Sequence, residues 1–451
     1  MPSKNTKKTQ RKLEPKANAW ALLPIVVFIV IYAASAICIN HNEMLRSYFN
    51  TTPIAPAFVI ALIVGMEQNK NKKFQDKLGV VGRGIGNSSI IYMIIIFILA
   101  GAFAGTVGRS SASSVAYFVL NYIPAEFSVL VIFIVSCVVS LAMGTSVGSI
   151  TLMTPIAISV SNVSGQDISV CVAVVICGSM FGDNLSIISD TSIAACTGIG
   201  CEPREKFSEN FKIVCPAAII TIILILVFTI GTGNGEQIHE HYELVNFIPY
   251  VLVLILSLCG INVCVVLGLG IVAGCVIMLF FNDVHFTDLF NGMFAGVQGM
   301  YEIIFITILV AAISEIIKEN GGFTFILKFI RKHCHTKKMA QLSTGIMVGL
   351  IDLITANNTV AIVVSSPIAK EVSKSYEIRR RRMASIADTF SCIVQGILPY
   401  GAQMLVAISL CTESGMMINA LDVLPYCAYQ YVLLAIVLIF IATGLSDKLP
   451  T

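Results

Sequence analysis

Charged residues are scarce in this chain. Only 12% of its 451 residues are Asp, Glu, Lys or Arg, whereas 56% are hydrophobic. Soluble globular domains carry about 25% charged residues, so the composition excludes that class. Short segments of alternating hydrophobicity, the sign of a transmembrane β-barrel, are also missing. No two cysteines have the C-x-x-C spacing of a metal site, and most of the 14 lie in apolar segments, where we expect them to be small packing residues.

Long apolar runs are what the sequence has instead. A helix of about 20 apolar residues crosses the roughly 30 Å of hydrocarbon in a bilayer. Windows of that kind lie at residues 20–39, 88–108, 208–231, 263–281, 299–317 and 424–443. They predict an all-α, polytopic membrane protein. The first window is longer than a signal-peptide core, so we expect it to be retained as a helix.

The distribution of lysine and arginine predicts the orientation of the spans, because these residues mark cytoplasmic loops. Of the 29 basic residues, all but Arg46 and Arg109 lie in six segments. These segments are 1–19, 67–83, 201–212, 318–340, 370–382 and the C-terminal tail. Segment 232–246 has acids and no bases, so it is expected outside. Both termini are therefore predicted in the cytoplasm, in a multi-pass protein of the inner (plasma) membrane.

Three apolar stretches are interrupted by small polar residues. GTSVGS interrupts 126–163, GDNLSIISD interrupts 168–199 and ANNT interrupts 340–370. The charge topology favours re-entrant hairpins over full crossings, because each arm of 126–163 would have only about 17 residues. The expected organisation is a basic tail at 1–19, transmembrane helices at 20–83, a first repeat at 84–231 with hairpin 126–163 and broken helix 168–199, linking helices at 232–298, a second repeat at 299–444 with hairpin 338–372 and broken helix 383–412, and a tail at 445–451.

The two halves resemble each other in sequence. MGTSVGSITLMTPIAISV (143–160) aligns with TANNTVAIVVSSPIAKEV (355–372), which pairs Pro155 with Pro367. FGDNLSII (181–188) aligns with IADTFSCI (386–393), which pairs Asp183 with Asp388 and requires a loop that differs by seven residues. The charge count gives the halves opposite orientation. An inverted repeat with interrupted helices is typical of secondary transporters.

The interruptions bring carboxylates into the membrane, where an ionisable residue is a functional candidate. We expect Gly182 to end one helix and Ser189, Asp190 or Thr191 to cap the next, which leaves free backbone carbonyls near the break. Burial favours a protonated carboxyl group and a bound cation favours the ionised one, so one site would bind Na⁺ or H⁺ in turn. The candidate ion or substrate ligands are Asp183, Asn184, Ser186, Asp190, Thr191, Thr145, Ser146, Asn357, Asn358, Thr359, Asp388 and Ser391. The strongest candidates for binding Na⁺ itself are Asp183, Ser186, Asp190, Asn357 and Asp388.

Through GTSVGS, FGDNLSIISDT, the NNT tip, IADTFS and LPYGAQ, residues 20–445 resemble the NhaC family of sodium/proton antiporters. The resemblance implies a bacterial or archaeal inner-membrane exchanger with two inverted repeats and hairpin-bearing transport regions. In sodium-coupled dicarboxylate relatives, Ser-Asn-Thr at the hairpin tips helps to bind sodium and substrate. Asn184 stands where many NhaC-like chains have Lys after the motif aspartate, which implies a more acidic site. Pro399-Tyr400-Gly401 stands in place of Pro-Trp-Asn.

The leading hypothesis is a secondary antiporter that exchanges cytoplasmic Na⁺ for external H⁺ by alternating access. The alternative is a sodium-coupled transporter or exchanger of an organic acid or amino acid on the same fold. An intramembrane protease is disfavoured, because Asp183 lacks the Gly-x-Gly-Asp context and no intramembrane histidine accompanies Ser146 as a base. A channel is disfavoured by hairpins that face opposite sides. We expect no enzyme activity, no cofactor and no nucleic-acid partner. The expected partners are the lipid bilayer, Na⁺, H⁺, a small organic solute in the alternative hypothesis and, by analogy, a second copy of the chain.

Overall fold

The computed structural model describes residues 15–41, 54–68, 72–187, 189–229, 243–259, 261–282, 284–333 and 336–444. Within these ranges the chain is helical and has no strand. The first half contains α1 Leu23–His41, α2 Ile54–Glu67, α3 Phe74–Ile85, α4 Ser88–Tyr122, α5 Ala125–Met143, α6 Ser146–Ser164, α7 Ile168–Leu185, α8 Asp190–Ile199 and α9 Pro203–Thr229. The tails and most of the acidic segment 232–246 lie outside the described residues.

The second half begins with the linking helices and ends with a short helix before the last span. It contains α10 Ile248–Leu258, α11 Val263–Phe280, α12 Phe286–Gly299, α13 Tyr301–Glu319, α14 Gly322–His333, α15 Lys337–Thr355, α16 Asn358–Ser375, α17 Arg380–Ile397, α18 Ala402–Glu413, α19 Ala420–Val423 and α20 Ala428–Thr443. Segments 67–83 and 318–340, expected as basic loops, contain the helices α3 and α14.

Eight helical stretches in the described part of the chain are long and apolar enough to cross a membrane. They are Ile90–Val107, Glu126–Met143, Ser146–Ser164, Ile168–Ile199, Pro203–Thr229, Val263–Phe280, Phe286–Glu319 and Arg380–Glu413. A bent pair, Ala420–Tyr426 with Ala428–Thr443, is a ninth candidate. The prediction of an all-α polytopic membrane protein is confirmed.

The helix boundaries recur along the chain at a constant interval. Five boundaries of the first half have a counterpart 212 residues later in the second half. The helix ends are Met143 with Thr355 and Leu185 with Ile397, and the helix starts are Ser146 with Asn358, Ile168 with Arg380 and Asp190 with Ala402. The seven-residue difference in loop length that the pairing of Asp183 with Asp388 required is therefore absent. At this interval Asp183 corresponds to Gln395, and Asp388 lies about two turns earlier in its own helix.

The two halves also interlock. Helix α6 packs against α18, which follows the break of the other half, and α16 packs against α8 in the same way. Within each half, the first arm of the hairpin packs on the helix before the break, α5 on α7 and α15 on α17. Both hairpin tips and both breaks thus meet in one region.

Glycines permit the closest of these contacts. Gly178 and Gly182 of α7 lie against α5, where a Cβ on Gly182 would stand 2.5 Å from the backbone nitrogen of Leu141. Two further pairs, Gly101 and Gly105 of α4 with Gly296 and Gly292 of α12, bring those helices together in the same manner. Small residues four apart are a common device for helix contact in membranes, where apolar burial supplies little drive for association.

The prediction that Gly182 ends its helix is wrong. Helix α7 continues to Leu185, because Gly182 is used for packing against Ser140 and Leu141 rather than for a left-handed cap. At both hairpin tips, in contrast, a left-handed residue does end the helix. Gly144 has φ of 65° after α5, and Ala356 has φ of 44° after α15. Of the three residues expected to cap the helix after the break, Ser189, Asp190 or Thr191, it is Ser189 whose side chain accepts from the Ser192 backbone N–H.

Candidate functional site

A cavity of about 850 Å³ lies where the tips and breaks meet. Six helices have a residue at or next to their N-terminus among the lining residues: α4, α6, α8, α11, α16 and α18. The capping side chains of the hairpin tips are Thr145, which accepts from the Gly148 N–H, and Asn357, which accepts from the Val360 N–H at 3.0 Å. The local sequences GTS and ANNT thus supply both the turn and the polar wall.

The cavity wall is acidic. Asp183 and Asp190 line it, and no lysine, arginine or histidine is among the described lining residues. Asp183 is 3% exposed and accepts a hydrogen bond from Ser146 Oγ to its Oδ2 at 2.8 Å. Asp190, in the first turn of α8, is exposed toward the cavity. This charge pattern favours a cation in the cavity.

A chain of side-chain hydrogen bonds connects Asp183 with the second hairpin tip. Gln403 Nε2 donates to Ser146 Oγ at 3.0 Å, and Gln395 Nε2 donates to Gln403 Oε1 at 2.6 Å. Gln395 Nε2 also donates to the backbone oxygen of Ala356 at 3.1 Å. Neither glutamine was among the candidates, although Gln403 lies in the LPYGAQ stretch and Gln395 stands three residues before it. Movement of either tip must therefore alter the surroundings of Asp183.

The structure brings eight of the twelve candidate residues to the cavity and places the other four behind it. Those that line the cavity are Thr145, Ser146, Asp183, Asp190, Thr191, Asn357, Asn358 and Thr359. Of the others, Ser186 Oγ donates to the backbone oxygen of Leu141 at 3.0 Å, and Asn184 Oδ1 accepts from Asn210 Nδ2 at 2.6 Å. Asp388 and Ser391 are buried within α17.

Asp388 has a partner that the sequence did not reveal. Lys206, which we took for an orientation signal in a cytoplasmic loop, is 1% exposed in the first turn of α9 and forms an ion pair with Asp388 Oδ2. Its Nζ also donates to the Asn184 backbone oxygen at 2.7 Å and to Ser192 Oγ at 2.6 Å.

These contacts correct two expectations about the break. The carbonyls of Asp183, Asn184 and Ser186 are not free, because Ser189, Lys206 and Ser192 donate to them. The cation at this cluster of oxygens is the ammonium group of Lys206. The positive charge that Asn184 lacks is therefore supplied from another helix, directly behind the cavity wall. One signal was available: Lys206, Glu209 and Asn210 share one helical face.

Glu209 forms a second buried ion cluster at the same end of the fold. Its carboxylate lies 3.6 Å from Arg382 Nη1 and 3.9 Å from Arg381 Nε, and Arg382 is 3% exposed at its side chain. The guanidinium of Arg382 also stands over the Phe440 ring at 4.6 Å. Arg382, in the basic segment 370–382 that predicts a cytoplasmic loop, is therefore a buried structural residue.

Fold and site together define a polytopic helical membrane protein with an acidic, polar cavity between two helical hairpins and two interrupted helices. A model of the Na⁺/H⁺ antiporter family matches residues 10–230 and 236–445. The chain therefore belongs to the Na⁺/H⁺ antiporter family, a family of transporters.

Several characterised bacterial relatives are similar over most of their length. The Na⁺/H⁺ antiporter NhaC of Bacillus subtilis is 21% identical over 77% of this chain and 82% of its own. NhaC of Alkalihalophilus pseudofirmus is 18% identical over 84% of this chain and 87% of its own. The malate-2H⁺/Na⁺-lactate antiporter of Bacillus subtilis is 19% identical over 86% of this chain and 88% of its own. The resemblance to NhaC-type antiporters is confirmed.

Proposed function

We propose that this protein is a secondary antiporter that exchanges cytoplasmic Na⁺ for external H⁺ by alternating access. The observation that carries the proposal is the carboxylate of Asp183, buried at a cavity wall that has two acids and no described base. A carboxylate in that position binds a proton or, with the hydroxyl and amide groups of the tips, a sodium ion. Competition between the two for one group couples their movements.

We further propose that the two halves have inverted topology and that α5–α6 and α15–α16 are re-entrant hairpins in the plasma membrane. The constant interval between helix boundaries and the crosswise packing of the halves support this arrangement. The positive-inside pattern supports cytoplasmic termini. The assembly into a homodimer rests on analogy alone.

With the cytoplasmic termini proposed above, we place the mouth of the cavity on the cytoplasmic side. Its lining includes Ser88, Gly198 and Pro367, each of which adjoins a basic segment, and Asn262, which begins α11. We therefore propose that the structure is the inward-facing state, ready to take Na⁺ from the cytoplasm.

The test uses the purified chain in liposomes that contain a trapped pH dye. An imposed Na⁺ gradient without organic solute is expected to move protons, and Asp183→Asn is expected to abolish that movement. Asp288→Asn, the same chemical change at an exposed position in the first turn of α12, is the matched control and should retain exchange. Proton movement in Asp183→Asn equal to that of the unmodified protein would refute the assignment.

A second candidate function is sodium-coupled transport or exchange of a small organic acid. The cavity volume of about 850 Å³ is within the range of small-molecule sites and far exceeds what a sodium ion needs. The helix N-termini at its wall would favour a carboxylate group. One relative exchanges malate and lactate by name. Uptake of labelled malate or lactate, driven by a sodium gradient in the same liposomes, tests this candidate, and proton movement without either solute argues against it.

A further inference from the structure

Asp352 is a buried carboxyl group that the site above does not use. It lies in α15, one turn before the tip of the second hairpin, and is 0% exposed. Its Oδ1 has no hydrogen-bond partner in the described part of the chain, and its Oδ2 is 3.5 Å from Ser391 Oγ. It does not line the cavity of Asp183.

The charge of this group is not compensated. No described lysine, arginine or histidine lies within ion-pair distance of Asp352, in contrast to Asp388 and Glu209, each of which has a basic partner. An ionised carboxylate without such a partner is strongly disfavoured in a buried setting. A neutral carboxylic acid is compatible with these surroundings, because Ser391 Oγ is placed to exchange a hydrogen bond with it.

Among the side chains that the structure describes, the elements packed around α15 bring no charge to this position. The titratable groups in electrostatic range are Cys392 of α17 and Tyr400 after it. On α17 the nearest charged residue is Asp388, one turn from Cys392, and Lys206 pairs with it. Helix α20 carries only tyrosines among ionisable groups. The other charged residues of these helices whose side chains the structure describes stand toward helix ends, apart from the exposed Lys328 in the middle of α14: Lys337, Lys338, Glu302, Glu315, Lys318, Glu319, Lys370, Glu371, Lys374, Arg380, Arg381 and Arg382.

The first half of the chain has no counterpart to this carboxyl group. At the interval of 212 residues, Asp352 corresponds to Ser140, whose hydroxyl donates to the Ser179 backbone oxygen at 2.5 Å. A hydroxyl thus suffices for packing at this point of the hairpin. The acid in the second half stands beside a polar stripe on α17, formed by Asp388, Ser391, Cys392 and Gln395, that reaches the cavity at Gln395.

We propose that Asp352 is a second proton-carrying carboxyl group of the transporter, separate from the Asp183 site. The step is a proton transfer alone: the carboxylate of Asp352 takes one proton from solvent water in one state of the cycle and returns it in another. This inference rests on the proposed function, since a proton carrier matters only in a protein that moves protons. It adds a proton to the exchange that does not compete with Na⁺ at Asp183.

The experiment measures two fluxes with the full chain in liposomes. Exchange of radioactive for unlabelled sodium at equal pH reports sodium handling, and the trapped dye reports sodium-driven proton movement. Asp352→Asn is expected to retain sodium–sodium exchange and to move fewer protons for each sodium than the unmodified protein. Asp183→Asn is expected to lose both fluxes.

Three results would overturn the proposal. The first is an unchanged proton-to-sodium ratio in Asp352→Asn, and the second is loss of both fluxes from a folded Asp352→Asn. The third is an unchanged ratio in Asp352→Ser. This serine variant has the residue found at the corresponding position of the first half, and it replaces Asp352→Asn if that variant fails to fold. An independent readout is the infrared band of a protonated carboxyl group. Ser391→Ala is expected to shift this band, and an unshifted band contradicts the proposal. Absence of sodium-driven proton movement in the unmodified protein would instead refute the proposed function.

Discussion

At the scale of single residues, the site is defined by how each buried charge is compensated. Lys206 holds three oxygen acceptors from three sources: the Asp388 carboxylate, the Asn184 carbonyl and the Ser192 hydroxyl. Removal of one member of a buried ion pair is strongly destabilising, because the other charge remains without compensation. The Asp388 carboxylate is therefore available to a transported ion only if Lys206 moves away from it.

This pair predicts a thermodynamic cycle. Lys206→Gln is expected to lower the free energy of unfolding by about 3 to 5 kcal/mol, and Asp388→Asn by a similar amount. The double variant should recover much of the loss, because neither charge remains. Thermal unfolding of the purified variants in detergent measures the three changes.

Lys212→Gln is the matched control for this cycle. Lys212 lies in the same helix, is 31% exposed and pairs with Glu209 at 4.0 Å, so its loss should cost less than about 1 kcal/mol. A double variant whose free energy of unfolding is no higher than that of the less stable single variant would contradict the cycle.

The sequence predicted the residues of the cavity wall better than the residues behind it. Asp183, Asp190 and the two tips stand where small polar residues interrupt apolar segments, which is a local signal. Lys206 and Asp352 have no such signal: the first stands in a basic segment and the second in an apolar helix. The helical face that Lys206 shares with Glu209 and Asn210 is the one sequence signal for that residue, and the packing of α9 and α15 against α17 shows that Lys206 and Asp352 are both buried.

At the scale of elements, close helix contacts set the distances between the parts of the site. The α4–α12 contact depends on glycine at four positions, and a Cβ on Gly105 would lie 2.1 Å from the Gly292 oxygen. Because both partners at that point are backbone, no side-chain rotation relieves the clash. The two helices must move apart if a methyl group is added.

Gly105→Ala is therefore expected to destabilise the protein by about 1 to 3 kcal/mol, as overpacking does in well-packed cores. Gly268→Ala is the matched control in α11, where no heavy atom lies within 4 Å of the added methyl group. That change should be neutral or stabilising by up to about 1 kcal/mol, because alanine is the better helix former. Thermal unfolding of both variants decides the point, and equal midpoints would refute the contact.

Elements whose boundaries have local causes were predictable from sequence. The interruptions at GTSVGS, GDNLSIISD and ANNT are interruptions of helices in the structure, because each contains a residue that caps a helix. The amphipathic helices α3 and α14 were interpreted as loops, because charge count alone does not separate a basic loop from a basic helix. The predicted alignment between the halves was wrong, because FGDNLSII resembles IADTFSCI. That segment lies about two turns before the one that the interval of 212 residues pairs with it.

At the scale of the whole molecule, the arrangement of the halves determines from which side of the membrane the cavity is accessible. The cavity is lined by residues close to three basic segments and by residues of both hairpin tips. In an alternating-access transporter one state exposes the site to one side only. The orientation proposed from lysine and arginine therefore has a consequence that chemical labelling measures directly.

Thr197 is exposed, lines the cavity mouth and stands four residues before the basic segment 201–212. Thr197→Cys is expected to react with a membrane-impermeant maleimide in inside-out vesicles and not in right-side-out vesicles. Tyr122→Cys, at the exposed end of α4, is the matched control and should react with the opposite preference. The parent chain with its own cysteines gives the background. Labelling of Thr197→Cys from the outside alone would reverse the orientation of the cavity, and the direction of sodium movement that we derive from it would then have to be reversed as well.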